Sequence, residues 1–306
     1  MIYIFILFAS IAGTLGALFG VVCVRGSTAV SAAVWALAAW MMLAFDVILR
    51  GNAYLAAPGT VASMRLVVVS LSVCPAMSLL GAKRPQHGVW QFIVASLACI
   101  LVLPVGRSTV VLPGSMPSVH VLAAVFMVVL IFVGWMNFIA TRRGLAATLI
   151  ACAQLIYMAP FLPGFKTIRP NGGVEFSVLE CSAVIAAASG TLLAVCQACC
   201  KRKCVIQQRT RDSMLSRVID PPFLAFRETF GAAWALRVAE RFNQIAASRE
   251  WPCKLSFRGL DDPDDDEDER WHRDAERAFL ALMHRFVSPA WLTRHGVDRT
   301  DRPRHA

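Results

Sequence analysis

Long runs of apolar residues, cut by short polar breaks, dominate the first two-thirds of the chain. Seven stretches are long enough to cross a bilayer core of ~30 Å as helices, which takes about 20 apolar residues. They run over residues 2–24, 29–49, 66–82, 89–106, 117–140, 144–163 and 174–200. The breaks carry charge or turn residues, among them Arg25-Gly26-Ser27, Arg50-Gly51-Asn52, Arg142-Arg143-Gly144 and Lys166–Gly173. Lipid offers no hydrogen bonds to the backbone, so helices are the expected form. A β-barrel is excluded, because its strands alternate apolar and polar positions and these runs do not. The third and fourth runs are short, and Pro104 is positioned to end or kink the fourth, so counts of six or eight spans stay compatible. The first run lacks a basic leader and exceeds the core of a signal peptide, so it reads as a span.

After residue 200 the pattern changes. Pro221-Pro222 precede apolar residues at Phe223, Phe226, Phe230, Trp234, Val238, Phe242 and Ile245. Steps of three and four make these one stripe of a continuous helix that Pro252 stops. A short strand is predicted at Cys253–Phe257, and a second helix from Trp271 to Phe286, with Trp291-Leu292 docked behind it. The stripe suits the core of a small domain; the rival occupants are the membrane surface and a groove on a partner protein.

Composition sharpens this division. Of the 50 charged residues, thirteen lie in residues 1–200 and 37 in the last 106. That excludes a single soluble globule, a disordered chain and a disulfide-stapled domain. The expected fold is an all-α membrane protein: about seven transmembrane helices over residues 1–200, then a small, mostly helical soluble domain over 201–306 with an acidic linker at 261–269. The first, third and fifth loops share a side with the C-terminus, and five basic residues lie in loops on each side. The cluster Lys201, Arg202, Lys203, Arg209 and Arg211 breaks the tie and predicts a cytosolic C-terminus and an outward N-terminus. The last 106 residues hold 20 basic and 17 acidic side chains, too even a balance for a nucleic-acid footprint. The lipid bilayer is the expected partner, with a protein partner for the C-terminal domain as a candidate. The layout is similar to that of the sensory input modules of bacterial receptors, a likeness that carries no motif.

Ionisable residues inside a membrane are functional suspects by default. Here they are Asp46, His120, Glu175 and Glu180. Asp46 stands four residues before Arg50, a spacing that makes an internal ion pair. Glu180 reads as about two turns into the seventh span and as the coupling group of any ion path. Cys196, Cys199, Cys200 and Cys204 gather near one face of a helix, but their spacing matches no zinc or iron–sulfur pattern. The eight carboxylates of Asp261–Glu269 fail the calcium-loop pattern, since its glycine and glutamate positions hold Glu267 and Arg273. Neither a metal nor a cofactor is therefore expected, and no nucleophile elbow, phosphate loop or zinc-protease motif is present. In the first span Ala12, Gly16 and Gly20 form a ladder of small residues suited to close helix packing. Three functions follow, in order: a non-enzymatic, sensor-like membrane scaffold, a small-solute or ion carrier using Glu180, and a lipid-modifying enzyme of the membrane.

Overall fold

The computed structural model describes residues 2–51, 57–83, 87–111, 115–162, 178–204, 214–261 and 269–297. Seven helices are long and apolar enough to span a membrane. They are α1 (Ile2–Cys23), α2 (Val30–Arg50), α3 (Pro58–Leu80), α4 (His87–Gly106), α5 (Val121–Ile139), α6 (Gly144–Met158) and α7 (Val178–Cys204). Their outer surfaces carry large apolar side chains that stay exposed, such as Phe92 at 74% and Leu122 at 73%. In water such a surface would aggregate, whereas in lipid it is the ordinary exterior. The chain is an all-α integral membrane protein.

Six of these helices close a ring. α1 touches α2, then α3, α5, α6 and α7 follow in contact, and α7 returns to α1. α4 packs outside the ring on α3, where Val94 and Ala98 meet Cys74. Gln91 of α4 adds a polar tie, accepting from the Trp35 indole of α2 at 3.2 Å. A π-helical segment, Arg107–Val111, continues α4, so Pro104 lies inside the helix rather than ending it.

One sequence reading of the bundle needs correction. The third span begins at Pro58, not residue 66, and Arg65 lies inside α3 rather than in an outer loop. A charge normally marks a span boundary, but this one is buried against an opposite charge. The Ala12–Gly16–Gly20 ladder packs on α7 through Gly16, and α1 makes a tighter approach elsewhere. A Cβ at Gly20 would meet nothing within 4 Å, and one at Gly16 would sit 3.3 Å from Leu192 and Thr191 of α7. Gly13 is the critical position, because its Cα lies against the Trp40 ring of α2 with no room for a side chain.

The C-terminal domain comprises α8 (Met214–Phe230), α9 (Ala232–Ser248), the antiparallel hairpin β1 (Lys254–Ser256) and β2 (Gly259–Asp261), α10 (Glu269–Met283) and α11 (Pro289–Arg294). The expected continuous helix is two helices. Gly231 breaks it at φ +84°, and Pro221-Pro222 lie within α8 rather than ahead of it. The break lets both halves of the aromatic stripe face one interior. Phe223, Phe226, Phe230, Phe242, Phe279 and Trp291 are all buried there. Their rings meet mostly edge to face or stacked, as with Phe226 on Phe230 at 4.5 Å between centroids. The second expected helix ends at Met283, three residues early, so that Phe286 can turn in beneath Phe226 and Trp234. β2 was not legible in the sequence; Asn243 of α9 splints its partner β1 by bonding both the N–H and the carbonyl of Leu255 at 2.7 and 2.9 Å. Asp220 does the same service for β2, accepting from Leu260 N–H at 2.7 Å.

This domain is seated on the bundle. The α1–α2 turn pairs Ser27 with Val287, flanked by Thr28 N–H to Phe286 O at 3.0 Å and Ser288 N–H to Gly26 O at 2.7 Å. The α3 C-terminus offers Leu79 O to the Trp234 indole at 2.6 Å. The α5–α6 turn gives Arg142 N–H to Glu228 Oε2 at 3.1 Å. Asn137 of α5 grips the α8–α9 break: its Nδ2 donates to Phe230 O and its Oδ1 accepts from Ala233 N–H, both at 3.0 Å. Asn137 thus caps α9 in trans, where Gly231 has no side chain to do so. All three turns on that face of the bundle are engaged.

Candidate functional site

At the bundle end opposite the C-terminal domain, three helices bring four charges together. Asp46 and Arg50 come from the last two turns of α2, Arg65 from two turns into α3, and Glu180 from the first turn of α7. All four are buried. The Arg50 guanidinium holds Asp46 through Nε at 3.1 Å and Nη2 at 2.7 Å, and its Nη1 stands 3.6 Å from Glu180. Arg65 pairs directly with the other oxygen of Glu180. Two cations and two anions cancel, which is the condition for keeping charge out of water. Tyr157, in the last turn of α6, lies beside them with its ring 5.8 Å from the Arg65 guanidinium carbon. Ser63 and Ser108 meet at 3.1 Å nearby and tie α3 to the segment after α4.

The expected Asp46–Arg50 pair is present, and it is part of a larger cluster. Glu180 was expected two turns deep; it sits in the first turn and is clamped between two guanidiniums. A proton on Glu180 would leave one of the cluster's two buried cations without a counter-charge, so the cluster is built to hold charge. Arg65 is the member that sequence reasoning missed, because it was assigned to a loop. His120 lies outside the cluster: it is exposed and caps α5, its Nδ1 accepting from Leu122 N–H at 3.3 Å. Glu175 lies outside the described residues.

Within the ring is a cavity of about 370 Å³. It follows the whole length of α6, from Arg143 just before its first residue to Tyr157 in its last turn. Its walls are mainly alanine, glycine, valine and leucine, and none of them comes from α4. The cavity exists because α2 and α6 present alanines where larger side chains would close the centre. Glu180 does not line it, but Tyr157 does. At the other end it reaches Thr229 of α8, so the docked domain forms part of its floor.

Arg143 occupies that floor. It lies in the turn before α6, and burial pulls its guanidinium below the ordinary arginine range, an effect that the nearby Glu228 carboxylate opposes. Glu228 is already engaged: Arg227 donates to its Oε1 from Nε at 3.1 Å and Nη2 at 2.8 Å, and Arg142 N–H holds Oε2.

Cys196 and Cys199 are exposed on α7, and Cys199 reaches Cys23 of α1 thiol to thiol. The side chains of Cys200 and Cys204, and those of Lys201, Arg202 and Lys203, lie outside the described residues, as do Arg209 and Arg211 and most of the acidic linker. Among the described residues no group of three His, Cys, Asp or Glu is arranged to hold a metal. No family model, curated protein or solved structure matches the chain.

Proposed function

We propose that the chain is a non-enzymatic, sensor-like scaffold of the bacterial inner membrane, its bundle and C-terminal domain acting as one unit. The docking of that domain on all three turns of one bundle face carries this reading, because any shift among α1, α3 and α5 is passed to it through the hydrogen bonds that join them. The basic residues of those turns, with Lys201, Arg202 and Lys203 at the end of α7, support a cytosolic placement of that face and an outward N-terminus. The aromatic stripe is enclosed in the domain's own core, so a protein partner or the membrane surface would be met through the domain's exterior.

A small-solute or ion carrier using Glu180 is the second reading, favoured by the cavity at the centre of the ring. Proteoliposomes with a trapped pH dye separate the two. A scaffold gives no proton flux in the parent or in Glu180→Gln. Flux in the parent that Glu180→Gln abolishes would replace the scaffold with the carrier.

A further inference from the structure

At each end of the cavity lies a residue with a buried polar atom that makes no hydrogen bond to the described residues. Nε of Arg143 and Oη of Tyr157 are both buried, and among the described residues neither makes a hydrogen bond. Buried polar atoms are nearly always satisfied, so Arg143 Nε calls for an acceptor that the described residues do not supply, while Tyr157 marks the far end of the cavity. No side-chain hydrogen bond from the described residues reaches the Arg143 guanidinium at all, since Glu228 is taken by Arg227 and Arg142. A guanidinium in this state is complementary to a carboxylate, which it binds through two parallel N–H donors.

The space between the two ends has the character of a hydrocarbon. Ala32, Ala36 and Ala39 of α2 face Ala147 and Ala151 of α6 across it, with Ala187 of α7 beside them. Tyr157 follows Arg143 by fourteen positions along α6, about 21 Å at ~1.5 Å per residue. That is roughly two-thirds of a ~30 Å hydrocarbon core, the reach of one long acyl chain. A volume of about 370 Å³ lies at the small end of ligand pockets, roughly 300–1,000 Å³, and leaves no room for a two-chain phospholipid.

We infer that the cavity binds a single-chain anionic amphiphile of the fatty-acid class, its carboxylate on Arg143 and its chain running along α6 toward Tyr157. The occupant touches Thr229 and lies beside Glu228, so it contacts the bundle and the docked domain together. Binding does not depend on whether the chain is a scaffold or a carrier, and its test reads occupancy rather than flux.

The full chain in nanodiscs of zwitterionic phosphatidylcholine is irradiated with hexadecanoic acid bearing a diazirine on its chain, and with the matching alcohol. The acid forms adducts on cavity residues of α2 and α6 that unlabelled hexadecanoate competes away. Arg143→Gln lowers those adducts about tenfold or more, while the alcohol's adducts stay as in the parent. Acid adducts confined to outward residues such as Phe92 and Leu122, or equal acid labelling in Arg143→Gln, would overturn the assignment. Ala147→Phe fills the cavity and leaves the charge in place. It removes the internal adducts of both probes; internal acid adducts that persist in it would also overturn the site.

Discussion

Arg65 and Glu180 come from α3 and α7, more than a hundred residues apart, and neither is tolerable in the bundle without the other. Breaking a buried pair leaves an uncompensated charge, which costs about 3–5 kcal/mol, whereas replacing both partners is often neutral. Glu180→Gln is therefore expected to lower the unfolding midpoint of the detergent-solubilised protein sharply. The double variant Glu180→Gln/Arg65→Met should recover at least half of the loss, and a double variant as unstable as the sum of its singles would show that the pair is not the reason for its burial. Asp46 and Arg50 were readable as partners because they are four residues apart on one helix. Arg65 was not, because an arginine near a span end looks like a boundary until its counter-charge on another helix is seen. The partnerless Nε of Arg143 is invisible in a sequence for the same reason: partnership is a property of the packed state.

At the scale of elements, the junction of α8 and α9 shows what periodicity can and cannot convey. The stripe from Phe223 to Ile245 keeps steps of three and four across Gly231, so it reads as one helix. Only the left-handed φ of +84° at Gly231, and Asn137 arriving from another element, reveal the break. An alanine there is strained twice, by its φ and by a Cβ driven into the Asn137 side chain. Gly231→Ala is expected to cost about 1–3 kcal/mol and to speed amide hydrogen exchange across the α8–α9 junction while α3 and α7 keep their protection. Unchanged exchange at Ala233 would mean that the trans cap holds nothing. Gly13 makes the parallel case within the bundle. Gly13→Ala forces a methyl group into the Trp40 ring, and an overpacking cost of about 1–3 kcal/mol should appear as a lower thermal midpoint. The existence of seven apolar runs was legible, though not the start of the third, because hydrophobic length is a one-dimensional property and the bilayer sets it. The hairpin β1–β2 was half legible, since three-residue strands carry too few positions to show an alternation.

As a whole molecule, the protein is a six-helix ring with a charged clamp at one end, a docked domain at the other and an apolar cavity between them. The division at residue 200 was plain from charge density. The docking was not, because it runs through backbone groups of turns and through Trp234, Glu228 and Asn137, whose partners lie on other elements and leave no pattern in the sequence. The claim that joins these parts is that the C-terminal domain sits on the turns of a bundle that spans lipid. The bridge between Ser27 and Val287 tests it directly. The flanking hydrogen bonds make this a narrow antiparallel pair, with Cα atoms about 4.5 Å apart, inside the range a disulfide spans. Ser27→Cys/Val287→Cys in intact vesicles, oxidised with copper phenanthroline and then washed in alkaline carbonate, is predicted to stay in the membrane pellet and to yield a 27–287 disulfide-linked peptide pair, with neither single variant doing so. A double variant that stays unlinked in the pellet, or that the wash releases, would contradict the account.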